Sequence, residues 1–185
     1  MRIIAGNRRG AKLAAPTGLD ARPTADRVRE SLFNILDGGR FGVPYRDKLV
    51  VDAFAGTGGL GLEALSRGAR HAVFLEQAIS SRKALFQNIR TLRYEEITTV
   101  IDGDATAMRR RAGEAAGLIM LDPPYNSALA VPCLEALRHH GWIGPETLVV
   151  VEVAAKEAFT APDWLESLDH RRYGAARLEF AGLKD

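Results

Sequence analysis

A carboxylate, two prolines and an aromatic ring follow one another at Asp122, Pro123, Pro124 and Tyr125, directly after the apolar run 118–121. Proline has no backbone N–H and cannot continue a sheet, and the residue before it is pushed into extended backbone. The pattern therefore predicts a buried strand that ends at Asp122, with the carboxylate held stiffly there. A carboxylate is unusual in that position unless it meets a ligand.

This tetrapeptide suits methyl transfer to an exocyclic amine of a nucleobase. Such an amine is a poor nucleophile because its lone pair is delocalised into the ring, and two acceptors aimed at its N–H groups would favour rehybridisation. The Asp122 carboxylate and the outward carbonyl of Pro123 are the candidate acceptors, the second held by the stiff Pro-Pro backbone. Asp122 would also stabilise the positive charge that develops on nitrogen, and it is a candidate base.

Tyr125 offers a flat face on which an extruded base can stack. The alternative interpretation is that Asp122–Tyr125 is only a strand-ending turn with a packed tyrosine. The four His residues show no ligand spacing, and nothing in this chemistry needs a metal. We therefore predict a site without a metal ion.

Glycines at 56, 58 and 61 form a second motif, with the spacing G-x-G-x-x-G after a predicted strand and before a predicted helix. Glycine lets backbone approach a ligand closely, and the N–H groups at a helix start add polar contacts. A tight turn with close helix–strand packing would produce the same pattern. Taken alone, the motif is a weak signal.

Acidic residues at the carboxyl ends of strands strengthen the prediction of a nucleoside-type cofactor. Glu76 can accept hydrogen bonds from both hydroxyls of a ribose, and Asp104 could meet the amino group of an adenine. A nicotinamide dinucleotide and S-adenosylmethionine both fit these residues. The acid Asp52 and the aromatic Phe54 favour S-adenosylmethionine. Asp52 would either offset the charge of a sulfonium or cap the backbone of the loop.

From about residue 48 onward, apolar strands alternate with helical patterns, which predicts a mostly parallel sheet covered by helices. Strands are predicted at 48–54, 71–76, 97–102, 117–122 and 147–153. Helices are predicted at 59–68, 78–92, 104–112 and 127–140. Residues 169–173 and 176–180 flank Gly174 and predict a C-terminal antiparallel hairpin. Five strands and a hairpin are the layout of a class I methyltransferase, a Rossmann-like α/β fold.

Residues 1–46 depart from this alternation, and we predict that they form a basic extension in front of a methyltransferase domain at 47–185. Segments 2–6 and 11–15 should pair as a hairpin, and 22–36 should form a capped helix with one apolar face. The extension has nine Lys or Arg against four acids, although the whole chain carries only +2. A polyanion partner is one explanation, and ordinary solvated surface is the other.

The candidate RNA-contacting side chains of this extension are all basic: Arg2, Arg8, Arg9, Lys12 and Arg22. The first four cluster near the predicted hairpin, where they could reach phosphates. Arg22 precedes the predicted helix and is expected closer to the active site. The composition further indicates a cytoplasmic protein, because Cys133 is the only cysteine and no run resembles a signal peptide or a membrane span.

The two motifs together resemble a known group of enzymes. Residues 52–69 with 122–125 resemble the amino-group nucleic-acid methyltransferases that carry Asp-Pro-Pro-Tyr. Residues 1–13 and 22–36 narrow the match to the bacterial RsmD-type 16S rRNA (guanine-966 N2) methyltransferases, and the resemblance spans the whole chain. It implies a monomeric, cytoplasmic enzyme that uses S-adenosylmethionine. Its implied partner is 16S rRNA in a small-subunit assembly intermediate.

The resemblance also assigns residues by position. It implies Asp122, Pro123, Pro124 and Tyr125 as the catalytic motif. It implies a cofactor site made of Asp52, Phe54, Ala55, Gly56, Thr57, Gly58, Glu76, Gln77, Asp104 and Ala105. Gln77 is a departure, since family members often carry a charged residue there.

Three other functions stay open at this point. An N6-adenine or other amino methyltransferase on DNA or RNA would use the same catalytic motif. A nicotinamide-dependent reductase fits the glycine loop and Glu76, but it leaves Asp122–Tyr125 unexplained. A non-catalytic RNA-binding assembly factor could retain an old cofactor fold.

Overall fold

The computed structural model describes residues 1–15 and 23–184. Its helices are α1 (Pro23–Asp37), α2 (Gly59–Ser66), α3 (Ile79–Leu92) and α4 (Ala130–His139), with short 3-10 turns at Glu95–Ile97 and Ala105–Ala107. Its strands are β1 (Leu49–Ala53), β2 (His71–Glu76), β3 (Thr98–Asp102), β4 (Leu118–Leu121), β5 (Leu148–Ala154), β6 (Leu165–Tyr173) and β7 (Ala176–Leu183). Among the helices in these residues, none combines the length and apolar character that a bilayer span requires.

The seven strands form one sheet in the order β3-β2-β1-β4-β5-β7-β6. The first five are parallel, β7 is antiparallel to β5, and β6 is antiparallel to β7. The predicted Rossmann-like fold with a C-terminal hairpin is confirmed, and the hairpin strands are longer than the sequence indicated. Because β1 lies between β2 and β4, the chain segments that follow these strands meet at one edge of the sheet.

The helix predicted at 104–112 is wrong. Only Ala105–Ala107 forms a 3-10 turn, and the chain then runs as a loop. The backbone of this loop is hydrogen-bonded to another part of the chain, since Ala112 N donates to the His140 carbonyl at 3.0 Å. The indole Nε1 of Trp142 donates to the Arg110 carbonyl at 2.8 Å. These contacts replace the hydrogen bonds that a helix would make within itself.

The N-terminal segment 1–15 forms a narrow loop closed by one antiparallel bridge between Arg2 and Lys12. Ile3 N donates to the Ala11 carbonyl at 2.9 Å beside this bridge. The predicted hairpin is therefore present only in this reduced form. The predicted helix is present as α1, and its residues Leu32, Phe33 and Leu36 are buried.

This segment packs directly on the rest of the protein. Ile3 and Leu13 belong to the same core cluster as Leu62 and Phe74 of the sheet domain. The fully buried Glu63 carboxylate of α2 accepts hydrogen bonds from the backbone N–H groups of Ile4 at 2.8 Å and Ala5 at 3.0 Å. The described part of 1–46 therefore shares a core with 47–184, and the boundary at residue 46 stays a prediction.

Candidate active site

A pocket of about 770 Å³ lies at the carboxyl ends of the parallel strands. It is lined by residues from several elements: Val28, Phe54, Leu75, Glu76, Gln77, Ala78, Gly103, Ala105, Asp122, Pro123, Pro124, Tyr125, Leu129, Glu152, Ala175 and Ala176. The pocket thus joins the predicted catalytic tetrapeptide with Phe54, Glu76, Gln77 and Ala105 of the predicted cofactor site. Such a crevice is where open α/β sheets bind their ligands.

The predicted catalytic tetrapeptide begins directly after β4. Asp122 N lies 3.5 Å from the Ala53 carbonyl of β1, and Pro123 is buried while Pro124 and Tyr125 are exposed. Asp122 is exposed toward the pocket, although protein atoms surround much of its carboxylate. The pKa of Asp122 is raised to about 7, first because the surrounding cleft displaces water and second because the Glu152 carboxylate repels its charge. Asp122 therefore holds a proton more readily than an ordinary aspartate.

Glu152 of β5 is a pocket residue that the sequence pattern did not single out. Its Oε1 accepts a hydrogen bond from the Tyr125 hydroxyl at 2.7 Å. Burial raises the pKa of Glu152, and the Tyr125 hydrogen bond opposes that rise. A signal was present, because Glu152 is the one acid in the predicted strand 147–153, near its carboxyl end as Glu76 is in β2.

The glycine loop connects β1 to α2 and uses its glycines in different ways. Gly56 has φ +56, and apart from its own chain neighbours no atom of the described residues lies within 4 Å of where a Cβ would stand. Gly58 has φ +86, and a Cβ there would collide with the side chain of Leu85. A Cβ at Gly61 would collide with the ring of Phe74. Gly56 therefore leaves open space for a ligand, whereas Gly58 and Gly61 permit close packing.

Asp52 lies behind this loop. It is almost fully buried at 1% exposure, and its Oδ2 accepts a hydrogen bond from the Gly61 N–H at 2.8 Å. Burial raises its pKa to about 8, the Gly61 hydrogen bond opposes the rise, and the charges of Asp122 and Glu76 add to it. Through this hydrogen bond Asp52 caps the backbone at the end of the loop, which is one of the two roles predicted for it.

Glu76 and Asp104 are both anchored by backbone N–H groups. Glu76 accepts from Gly56 N through Oε2 and from Ala78 N through Oε1, each at 2.7 Å. Asp104 is exposed and caps the 3-10 turn, since its Oδ1 accepts from Thr106 N at 2.8 Å. It lies between the pocket-lining residues Gly103 and Ala105. Both carboxylates keep acceptor capacity beyond these bonds.

These residues fit an adenosine-containing cofactor. Glu76 is an oriented acceptor that lines the pocket beside the apolar side chains of Phe54 and Leu75. Gly56 provides a space that a Cβ would fill. The site therefore offers acceptors for ribose hydroxyls, an apolar wall for a base, and room at the loop, which is the combination expected for nucleoside binding.

The predicted RNA-contacting residues of the N-terminal segment lie elsewhere on the surface. Arg2, Arg8, Arg9 and Lys12 are all exposed. Arg2 and Arg9 line another cavity of about 320 Å³, whose other charged residues are Arg27, Asp26 and Glu30 of α1. Arg22 lies outside the described residues. The contact of this basic surface with RNA stays a prediction.

Comparison with known proteins agrees with this geometry. A family described as "Conserved hypothetical protein 95" matches residues 1–182. The chain is 37% identical over 152 residues to "Ribosomal RNA small subunit methyltransferase D" of Escherichia coli (strain K12), covering 82% of this chain and 74% of that protein. It is 35% identical over 159 residues to "Putative rRNA methyltransferase YlbH" of Bacillus subtilis (strain 168), covering 82% of each.

Solved structures give the same result. The structure titled "Putative methyltransferase yhhF from Escherichia coli" superposes with a TM-score of 0.84 at 33% sequence identity. The superposition covers 100% of this chain and 98% of that chain. The similarity therefore includes the N-terminal segment as well as the sheet.

Proposed function

This chain belongs to the family described as conserved hypothetical protein 95, and this membership confirms the RsmD-type resemblance. We propose that the protein methylates the N2 amine of a guanine in 16S rRNA. Methylation of ribosomal RNA is supported by the names of relatives that are 34–37% identical. The use of S-adenosylmethionine is supported by the methyltransferase fold and by the acceptors that line the pocket. The choice of guanine N2 as the acceptor goes beyond those names and belongs to the proposal.

One observation carries the proposal: a single pocket is lined by Glu76 and by the whole tetrapeptide Asp122–Tyr125. Glu76 ends β2 and Asp122 follows β4, and both strands flank β1. A nucleoside cofactor held by Glu76 would therefore lie beside the groups suited to an exocyclic amine. A nicotinamide-dependent reductase would have no use for this neighbourhood.

The chain's own groups would prepare and stabilise the amine. The Asp122 carboxylate and the Pro123 carbonyl accept hydrogen bonds from its two N–H groups, which localises the lone pair on nitrogen. The negative charge of ionised Asp122 stabilises the positive charge that builds on this nitrogen. Its raised pKa also suits it to take the proton that the amine loses. When bound, S-adenosylmethionine supplies a methyl group activated by its sulfonium.

Tyr125 would hold the base. Tyr125 is 41% exposed and lines the pocket, and its hydroxyl is anchored to Glu152. A guanine must leave its stack before its amine can reach Asp122, and stacking on a tyrosine offsets part of that cost. We propose that the substrate is a small-subunit assembly intermediate in which this guanine is accessible, and that the protein acts on it in the cytoplasm as a monomer.

The test combines a deletion strain with the purified protein. Nucleosides of 16S rRNA from cells without this protein should lack one N2-methylguanosine that the parent strain contains. The purified full chain should restore it on small-subunit particles with labelled S-adenosylmethionine, and NAD should not bind.

Other results would support the alternatives. Loss of N6-methyladenosine instead would indicate an adenine methyltransferase. Binding of NAD without any response to S-adenosylmethionine would indicate a reductase. RNA binding without methyl transfer to any particle would indicate a non-catalytic assembly factor.

A further inference from the structure

Asp122, which directly follows β4, lies beside Glu152 of the neighbouring strand β5. Leu121 of β4 and Val151 of β5 are register partners in a parallel pair, and Asp122 and Glu152 are the next residues along each strand. Neighbouring strands are about 4.8 Å apart. Both acids line the same pocket, and the charge of Glu152 raises the pKa of Asp122. Two carboxylates therefore face the space that an acceptor base would occupy.

A hydrogen bond fixes the Glu152 side chain in this place. Oε1 accepts from the Tyr125 hydroxyl at 2.7 Å, so the carboxylate is tied to the ring on which the base would stack. A carboxylate is an acceptor with two oxygens and about four lone-pair sites. One bond from Tyr125 leaves it with capacity to accept from a ligand as well.

The two purines differ in the atom beside their exocyclic amine. In guanine, the N2 amine is adjacent to N1–H, which is a hydrogen-bond donor. In adenine, the N6 amine is adjacent to N1, which is an acceptor. A carboxylate beside Asp122 would accept from the guanine N1–H and would repel the lone pair of adenine N1. Enzymes that extrude a base read this Watson–Crick edge by such hydrogen bonds.

We propose that Glu152 selects guanine by accepting a hydrogen bond from its N1–H while Asp122 and Pro123 hold the N2 amine. This inference rests on the proposed function, and it adds the residue that determines the choice of base. Asp122 and Pro123 alone would accept any exocyclic amine. Glu152 would therefore select guanine both by attracting its N1–H and by repelling the N1 lone pair of adenine.

The test uses 2-aminopurine, which has the same N2 amine as guanine but an N1 without hydrogen. Small-subunit particles are reconstituted from ligated 16S rRNA that carries either guanine or 2-aminopurine at the target position. Values of kcat/KM for methyl transfer are measured with the full chain on both particles. The wild type should prefer guanine by at least about 100-fold, because a site built to bind an N–H rejects an analogue that lacks it.

The decisive variant is Glu152→Gln, whose amide can donate to the N1 of 2-aminopurine. In this variant the ratio of kcat/KM on guanine to kcat/KM on 2-aminopurine should fall by roughly 10- to 100-fold, which is about the discrimination that one good base-specific contact provides. Tyr125→Phe is the matched control, because it removes the anchor of Glu152 but keeps the ring and the carboxylate. It should lower the rate on both particles and narrow the ratio by less than Glu152→Gln does, because the carboxylate stays in the pocket.

Two outcomes would overturn the role of Glu152. An unchanged ratio in a folded Glu152→Gln variant would show that Glu152 does not contact N1. A larger change of ratio in Tyr125→Phe than in Glu152→Gln would show that the position of the Tyr125 ring, and not the Glu152 carboxylate, sets the choice of base. If the wild type transfers no methyl group to guanine particles, the proposed function and this inference both fall.

Discussion

Asn88 of α3 donates a hydrogen bond from Nδ2 to the carbonyl oxygen of Thr57 at 3.0 Å and thereby anchors the glycine loop. The same amide group donates to the Ala14 carbonyl at 3.1 Å, and its Oδ1 accepts from Ala14 N at 2.6 Å. Asn88 is only 1% exposed. One buried side chain thus joins the N-terminal segment, α3 and the loop of the candidate cofactor site.

Replacing Asn88 should weaken both the fold and the loop. Asn88→Ala leaves the N–H of Ala14 and the carbonyl of Thr57 without these bonds, and we expect the free energy of unfolding to fall by about 1–3 kcal/mol. Affinity for S-adenosylhomocysteine, measured by titration calorimetry, should fall as well. Gln87→Ala is the control, since Gln87 is the exposed neighbour on the same helix. Equal cofactor affinity in Asn88→Ala and wild type would contradict the coupling.

The two loop glycines should respond differently to alanine. Both have positive φ, which costs a side chain about 1–2 kcal/mol. Gly58→Ala also forces a methyl group into the Leu85 side chain, and such overpacking costs about 1–3 kcal/mol more. Gly56→Ala meets open space in the protein, so it should lose less stability but more cofactor affinity. Denaturant titration measures the stability of both variants, and calorimetry measures their cofactor affinity. Equal losses of stability together with equal losses of affinity would contradict the different roles of Gly56 and Gly58.

Methyl transfer should depend on the ionisation of Asp122. Because its pKa is raised to about 7, the carboxylate is protonated at lower pH and loses its charge. We therefore expect kcat/KM to rise between about pH 6 and pH 8 and then level off, since this profile reports the free enzyme. Asp122→Asn should lower the rate by roughly 100- to 1,000-fold and remove this rise. A wild-type profile that is flat across this range would exclude Asp122 as the titrating group.

The buried Asp52 should make the protein less stable as pH rises. Its folded pKa is about 8 against an ordinary value of 3.8, so the folded state retains a proton that the unfolded state has released in this window. Stability then falls as pH increases from about 4 to about 8. Asp52→Asn keeps an oxygen for the Gly61 N–H but cannot ionise. The Tm of Asp52→Asn minus the Tm of wild type should be larger at pH 8 than at pH 5. A smaller difference at pH 8 would show that the pKa of Asp52 is not raised.

The basic side chains of the N-terminal segment should contribute to RNA affinity. Replacing Arg8, Arg9 and Lys12 by Ala should weaken binding to small-subunit particles and leave cofactor affinity unchanged. The log–log salt dependence of binding should flatten by up to about 0.7–0.9 for each phosphate that the variant no longer neutralises. Replacing the exposed Arg109, Arg110 and Arg111 removes the same charge elsewhere and serves as the control. Superimposable salt curves for wild type and the first variant would mean that these residues are ordinary solvated surface.

Much of the site could be predicted from local sequence. Apolar runs predicted β1, β2, β4 and β5, and the residues that follow a parallel strand are expected at one edge of the sheet. This reasoning located Glu76 and Asp122 on the same side of the fold from their positions in the chain. The prolines after Asp122 added stiffness that depends only on the covalent structure of the chain.

Other features depend on contacts between residues that are distant in the chain, and local sequence does not reveal such contacts. The pairing of Tyr125 with Glu152 requires the register of β5 against β4. The hydrogen bond from Asn88 to the Thr57 carbonyl requires α3 to pack beside the glycine loop. The loop in place of a helix at 104–112 has the same origin, since its backbone finds partners in the segment around His140. Local pattern determines which residues can form a strand or a turn, but hydrogen bonds across the fold decide which side chains meet.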